Sequence, residues 1–301
     1  MAQTYNLDQM IITSTATNFE KNLKNELVIG KAAKAEMKSG LKIGDEVNII
    51  MPAETSFQKW DGGDLNEPEK IKSSLVKVPV DQGYQVNFEL EASKALQIEE
   101  AGNSDKAAKL VAEYSDNAMY QAKNKVDSYL GSLYPLAGTK ETNSGAAIAL
   151  TSASAENCFK ILANVKAIMS RLNAWESDRM LAFLPPEMIA IMLGMPFVQY
   201  TESQVKDKAI GEISKKAGFK IFESNNVGST ESGGTITYYP LFAVEGKTFA
   251  APIQKSLQLI PYMRDESLNK AYKGGFVFGG TVPNAKRLAT AMVTCTISNY
   301  S

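Results

Sequence analysis

From Ser104 to Tyr134 the chain holds no proline and, before Gly131, no glycine. Its apolar residues there fall in one stripe: Leu110, Val111, Tyr114, Ala118, Ala122, Val126, Tyr129 and Leu133. Steps of three and four residues put those side chains on one side of an α-helix. Ser104 is a suitable N-cap ahead of Asp105, and Pro135 closes the far end. At 1.5 Å per residue this predicts a rod about 45 Å long. The stripe is narrow, so most of the rod must face solvent or another molecule.

Upstream, residues 1–17 are polar and threonine-rich, which suits a flexible arm or an extended strand lying on a neighbour. Phe19, Leu23 and Leu27 mark one helical face that ends near Gly30. Between 18 and 42, Lys21, Lys24, Lys31, Lys34, Lys38 and Lys42 oppose Glu20, Glu26 and Glu36. Mixed charge of this kind commonly coats a solvated helix; the functional alternative is an arm whose lysines face an acidic partner. Gly44-Asp45 reads as a turn, and Val47, Ile49 and Met51 alternate as a strand that stops at Pro52. Strands return at Leu75–Val80 and Tyr84–Leu90. The polar stretch between the first two strands carries Trp60-Asp61-Gly62-Gly63-Asp64, and a structureless loop of that length is uncommon inside a compact domain. Two β arms with a protruding tip are expected, with Trp60 either anchoring a contact with another chain or packing on its own.

Downstream, residues 136–153 are small and polar, a candidate crossing between domains. An amphipathic helix follows, with Ile161, Val165, Ile168, Leu172 and Trp175 on one face. Met180-Leu181-Ala182-Phe183-Leu184 suits a buried strand, and Pro185-Pro186 opens a helix that stops at Gly194. Val205, Ala209, Ile213 and Ala217 repeat every four residues, Gly218 suits a C-cap, and Phe219 to Glu223 alternates like a half-exposed strand. Residues 225–234 read as an exposed Gly/Ser/Thr loop. Gly274-Gly275 and Gly279-Gly280 read as bulges or tight turns, and 289–297 as one final apolar strand.

Composition removes several chemistries. The chain of 301 residues is 44% hydrophobic, enough for a real core in one large domain or two ordinary ones. It has no histidine, so triads and zinc sites built on imidazole are excluded. Thirty-two basic residues meet thirty-three acidic ones, and the arginines are Arg171, Arg179, Arg264 and Arg287 alone. A tight, sequence-reading nucleic-acid binder would carry a basic excess rich in guanidinium forks. Cys158 and Cys295 stand far apart and read as two reduced thiols in apolar surroundings. No basic start followed by an apolar run opens the sequence, and no window of about 18 apolar residues occurs. The expectation is a soluble protein made in the cytoplasm.

No GxGxxG, P-loop or GxSxG occurs. Asp61/Asp64, Glu99/Glu100 and Asp265/Glu266 are paired carboxylates without a third ligand or a nucleophile nearby in sequence, and ordinary surface charge accounts for them. No catalytic, cofactor or metal residue is assigned, and no enzyme activity is expected.

The order of these elements, with Gly218-Phe219-Lys220-Ile221-Phe222-Glu223-Ser224-Asn225-Asn226-Val227, Ala250-Ala251-Pro252-Ile253-Gln254, Tyr262-Met263-Arg264-Asp265-Glu266 and Gly274-Gly275-Phe276-Val277-Phe278-Gly279-Gly280, resembles the HK97-fold major capsid proteins of tailed bacteriophages over residues 40–300. The resemblance implies an α+β fold divided into an N-arm (1–40), a P-domain (41–52 and 75–135) with a spine helix at 104–134, an E-loop tip (53–74), an A-domain (136–262) and return strands (263–301). It implies a coat protein that assembles with itself into pentamers and hexamers, enclosing double-stranded DNA in an icosahedral virion built in the host cytoplasm. Trp60, Asp61, Gly62, Gly63 and Asp64 would then make intersubunit contacts, and Lys21, Lys24, Lys31, Lys34 and Lys38 would face DNA. Scaffolding, portal and decoration proteins are the further partners implied; no membrane is. Some members crosslink a lysine to an asparagine; Lys59, Lys70 or Lys72 and Asn284 or Asn299 are available, but no local motif matches and the reaction is not carried over. An encapsulin-type compartment shell is the nearer alternative, and a soluble binding protein or hydrolase the more distant one.

Overall fold

A computed structural model describes residues 27–38, 41–52, 73–90, 104–193, 217–254, 260–263 and 269–296. The long helix is there as α1, Ser104–Ser132, and the Pro-rich segment beyond it forms a short 3-10 turn at Tyr134–Leu136. Two shorter helices follow, α2 (Glu156–Arg171) and α3 (Pro186–Leu193). Glu156 in the first turn of α2 and Arg171 in its last both complement the helix dipole, and Lys160 reaches back one turn to Glu156 at 2.6 Å.

A central sheet runs β5 (Thr139–Glu141), β15 (Leu288–Ala291), β11 (Leu241–Val244), β7 (Met180–Leu184), β8 (Lys220–Glu223). Its inner strands β7, β11 and β15 are covered on both faces and buried at every residue. Met180, Ala182, Leu184, Phe242 and Val244 pack on one side with Cys158, Ile161, Leu162, Val165 and Met169 of α2 and with α3. Leu181, Phe183, Leu241 and Ala243 point the other way, onto Met119, Ala122, Val126 and Leu130 of α1. The period of two along each strand therefore feeds two cores from one sheet. β7 and β8 are parallel, Leu181 opposite Lys220, as expected for a strand–helix–strand unit.

A second sheet carries β1 (Ala33–Lys38), β12 (Phe249–Gln254), β14 (Lys270–Phe278) and β13 (Ile260–Met263), with β4 (Gln82–Leu90) also paired to β14. A third runs β6 (Ile148–Thr151), β16 (Val293–Thr296), β10 (Thr235–Tyr239), β9 (Gly228–Ser232). β2 (Glu46–Pro52) and β3 (Ser73–Pro79) pair only with each other among the described residues.

β12 joins β1 and β14, while β15 and β16 return to pair with β11 and β10. Several expectations need correcting. The last apolar run is two strands that change sheets at Met292, whose N–H bonds Glu141 and whose carbonyl accepts from Ile148. Within the expected 225–234 loop, residues 228–232 are strand β9, the first arm of a hairpin with β10. Gly233 and Gly234 both have positive φ (59° and 78°), the pair of conformations that a two-residue type I′ connection requires. Gly274 and Gly275 lie in regular register inside β14, opposite Val86 and Gln85. Gly279 has no positive φ; a Cβ there would stand 2.0 Å from the Pro79 carbonyl oxygen, so the requirement is close approach. On α2 the buried face is Cys158, Ile161, Leu162, Val165 and Met169, while Leu172 is exposed.

Candidate functional site

The element that the two cores do not explain is the β2–β3 ribbon. It pairs from Glu46↔Pro79 to Pro52↔Ser73, seven residues on each strand. Its root is seated: Val47, Val78 and Val80 pack with Ala250 beside Val277. The root is pinned by a turn in which the Gly44 N–H bonds the Val80 carbonyl, the Val80 N–H bonds the Asp45 carbonyl, and the Lys42 N–H donates to Asp45 Oδ2 at 2.8 Å. An isolated two-stranded ribbon is marginal in water, and among the described residues β2 and β3 gain no third strand.

Helix α1 holds the ribbon's root and the segment preceding it. Tyr129 donates its hydroxyl to Asp81 Oδ1 at 3.1 Å, directly after the ribbon, and burial together with the Asp81 charge pushes the phenol up to about 12. Two residues earlier Asp127 is almost fully buried and accepts the N–H groups of Val28 (2.8 Å) and Gly30 (3.0 Å), with Ile29 as a third backbone donor. Those are the free donors that open the 3-10 turn Ile29–Ala32, so Asp127 caps a turn about a hundred residues away in sequence. Burial raises its carboxyl above the ordinary value, against the pull of the three N–H groups and Lys31.

From that turn the chain becomes a strap across the molecule. The Lys31 and Ala32 carbonyls accept the N–H groups of Gly246 and Thr248, and β1 then runs parallel to β12, Ala33 opposite Phe249. Residues 33–38 are thus a strand of the second sheet, where a free arm with a helical surface was expected. The lysines expected to face DNA fall as follows. Lys31 is exposed with Nζ 4.1 Å above the Phe222 ring; Lys34 is exposed on β1 and Lys38 ends that strand; Lys21 and Lys24 lie outside the described residues. Trp60, Asp61, Gly62, Gly63 and Asp64 also lie outside them, as do the Glu99/Glu100 and Asp265/Glu266 pairs.

The same C-terminal turns of α1 are also locked by shape. Asn226 donates its amide to Asn124 Oδ1 at 3.1 Å, Tyr134 stacks on Tyr239 at 4.0 Å, and a Cβ on Gly131 would stand 1.9 Å from the Asn226 carbonyl oxygen. Gly131→Ala should therefore force helix and loop apart and cost about 2 kcal/mol, read as a lower denaturation midpoint. Ser132→Ala, one residue on and exposed, should move it by no more than about 0.5 kcal/mol.

Chemistry elsewhere is quiet. Burial pushes the Cys158 and Cys295 thiols up to about 12, so neither is a ready nucleophile. Tyr238 donates to Glu187 Oε1 at 2.8 Å, leaving Glu187 Oε2 buried without a partner among the described residues. No group of three His, Cys, Asp or Glu there is placed to hold a metal ion, and no helix there is long and apolar enough to cross a membrane. Asp127, Asp81 and Gly131 were not singled out from sequence; each acts on a backbone or side chain far along the chain.

No family model and no curated protein matches this chain. Solved structures do. The capsid of cyanophage P-SCSP1u is 14% identical, with 91% of this chain and 89% of that one covered at a TM-score of 0.59. The capsid of Ralstonia phage GP4 is 14% identical, with 90% of each chain covered and a TM-score of 0.57. The virus-like particle from Pyrococcus furiosus is 12% identical, with 95% and 100% covered and a TM-score of 0.56. The fold is therefore the HK97-like α+β fold of phage capsids.

Proposed function

We propose that this chain is the major capsid protein of a tailed bacteriophage, a structural subunit that assembles into pentamers and hexamers and closes an icosahedral shell around double-stranded DNA. The observation that carries the reading is the likeness to phage capsids along nine-tenths of the chain. The β2–β3 ribbon supports it, since it pairs with no further strand among the described residues. In this reading α1 is the spine helix, the ribbon with 53–72 is the E-loop, and Trp60 to Asp64 reach the next subunit. Sheet membership favours a P-domain of β1, β4, α1 and β12–β14, and an A-domain of β5–β11 with β15 and β16. Lys21, Lys24, Lys31, Lys34 and Lys38 supply non-specific DNA contacts. Scaffolding, portal and decoration proteins are the expected further partners. The role needs no cofactor and no catalysis.

The test is negative-stain microscopy with sedimentation velocity on the protein expressed alone and with its scaffold. Closed shells, or rings of five or six, are expected; a subunit that stays monomeric in both would overturn the reading. The likeness to the Pyrococcus furiosus particle favours a second reading, an encapsulin-type compartment. Nucleic acid inside purified shells supports the first, and a protein cargo the second.

A further inference from the structure

The chain passes from the ribbon into the second sheet in two residues, Val80 and Asp81, between the end of β3 at Pro79 and the start of β4 at Gln82. Phe278, the last residue of β14, stands opposite Gln82, so Gly279 and Gly280 come directly after it, beside this crossing. Both glycines are buried. A Cβ on Gly279 would stand 2.0 Å from the Pro79 carbonyl oxygen and 3.0 Å from the Val80 Cα, and one on Gly280 would stand 3.2 Å from the Tyr129 ring. Neither has a positive φ, so what the pair supplies is bare backbone: Pro79 rests on Gly279, and the Tyr129 ring lies against Gly280. The Gly279 N–H is itself held by the Pro252 carbonyl of β12 at 3.0 Å. On α1 the Tyr129 hydroxyl donates to Asp81 Oδ1 at 3.1 Å and stands 3.3 Å from the Gly280 carbonyl, and its ring meets Phe278 edge-on with centroids 5.6 Å apart. Pro79 fixes its own φ at the foot of β3. The two crossing residues are thus gripped between α1 and the backbone that follows β14.

We propose that Gly279-Gly280 and the Tyr129–Asp81 bond form a seat that fixes the angle between the ribbon and the body of the subunit, and that this angle sets the curvature of the assembly. The first half stands on the single subunit; the second rests on the coat-protein reading and adds to it the residues that control shell geometry. Seven residues at about 3.4 Å each make a lever about 24 Å long, so a tilt of about 10° at the root carries its outer end about 4 Å. A gap of about 1 Å already forfeits up to about half of a packing contact. A ribbon hung loosely from its root would therefore meet a neighbour at no defined place. The valine cluster at the root does not define the angle alone, because apolar burial is non-directional. A hydrogen bond and a backbone resting on a backbone are directional, and the seat supplies both.

The experiment places spin labels at Ser74→Cys, in the outer half of the ribbon opposite Met51, and at Gln121→Cys, exposed on α1, and measures the distance between them in unassembled subunits by pulsed electron resonance. Protein carrying Cys158 and Cys295 alone gives the labelling blank. One narrow distance is expected. Tyr129→Phe, which removes only the hydroxyl, should widen it by about 4 Å, the sweep of a ribbon tilting through about 10°. Asp81→Asn keeps an acceptor oxygen for that hydroxyl and should stay narrow. Gly279→Ala should shift the mean by a similar amount, because its Cβ displaces Pro79. Circular dichroism checks that each variant folds, and if Gly279→Ala does not, Tyr129→Phe decides alone. A broad distance before either seat substitution, or an unchanged one in Tyr129→Phe, overturns the seat. Unlabelled Tyr129→Phe should form shells of mixed diameter where wild type forms one size, and uniform shells from that variant overturn the link to curvature. If wild type assembles neither alone nor with its scaffold, the coat-protein reading and the curvature half fail together, while the distance measurement still decides the seat.

Discussion

Asp127→Ala should lower the stability of the subunit by about 3 kcal/mol and free the strap at residues 28–32. The carboxylate takes three backbone N–H groups of one turn, and alanine leaves all three without an acceptor in a space that burial keeps largely dry. An unsatisfied buried donor costs roughly 1–3 kcal/mol, and the relief of no longer burying a charge offsets part of the sum. Denaturant midpoints of the two proteins give the difference. Asp127→Asn keeps one acceptor oxygen but turns an amide NH₂ toward the turn, so it should fall between the two.

The pH dependence of that difference has a definite sign. Burial raises the carboxyl above its ordinary value of 3.8. A carboxyl raised by folding binds its proton more tightly in the folded state, so its stabilising contribution is full below the ordinary value and is lost as pH rises through the raised one. The margin of wild type over Asp127→Ala should therefore widen between pH 7 and about 4. Lys31 draws the carboxyl the other way but is outweighed by burial, and burial also lowers the Lys123 ammonium a turn earlier. A margin that shrank on acidification would mean that the three N–H bonds outweigh burial.

The same residue shows where a sequence pattern stops being informative. Periodicity placed the long helix at 104–134, and it spans Ser104–Ser132. The stripe itself was rotated: Tyr114 is 55% exposed, whereas Ser115, Lys123 and Asp127 are buried. A buried aspartate breaks an apolar stripe because its partners are backbone groups in a remote segment, and no local spacing announces them. β7 was legible because both faces of its sheet are covered, which leaves a continuous apolar run. β1 was not: Ala33-Lys34-Ala35-Glu36-Met37-Lys38 is an edge strand whose pairing partner lies beyond residue 248, and alone it reads as a charged helix surface. The β9 arm of the 228–239 hairpin was read as part of a loop because β9 turns no large apolar side chain toward the core, so alternation never appears. The ribbon arms were legible from alternation and from Pro52, but the residues expected to make its contacts, Trp60 to Asp64, fall outside the described part.

Removing residues 54–72, with one glycine inserted, should leave a soluble, folded subunit and abolish closed shells. Pro52 and Ser73 are register partners, so their Cα atoms stand about 5 Å apart and a two-residue connection, Ala53-Gly, can join them. The root of the ribbon keeps its valines on Ala250 and its turn bonds to Val80, so denaturation of the shortened subunit should match wild type to within about 1 kcal/mol. What is lost lies outside the subunit. A shell of many copies closes only if each neighbour contact is made, and a missing contact is multiplied by the number of subunits. The expected result is therefore all-or-none in microscopy while the melting curve barely moves. Trp60→Ala is the graded version: loss of one buried aromatic anchor typically costs 2 kcal/mol or more, enough to raise the critical concentration for assembly by about thirtyfold. Normal shells from the shortened chain would make the ribbon a feature of the single subunit and remove it from the assembly mechanism.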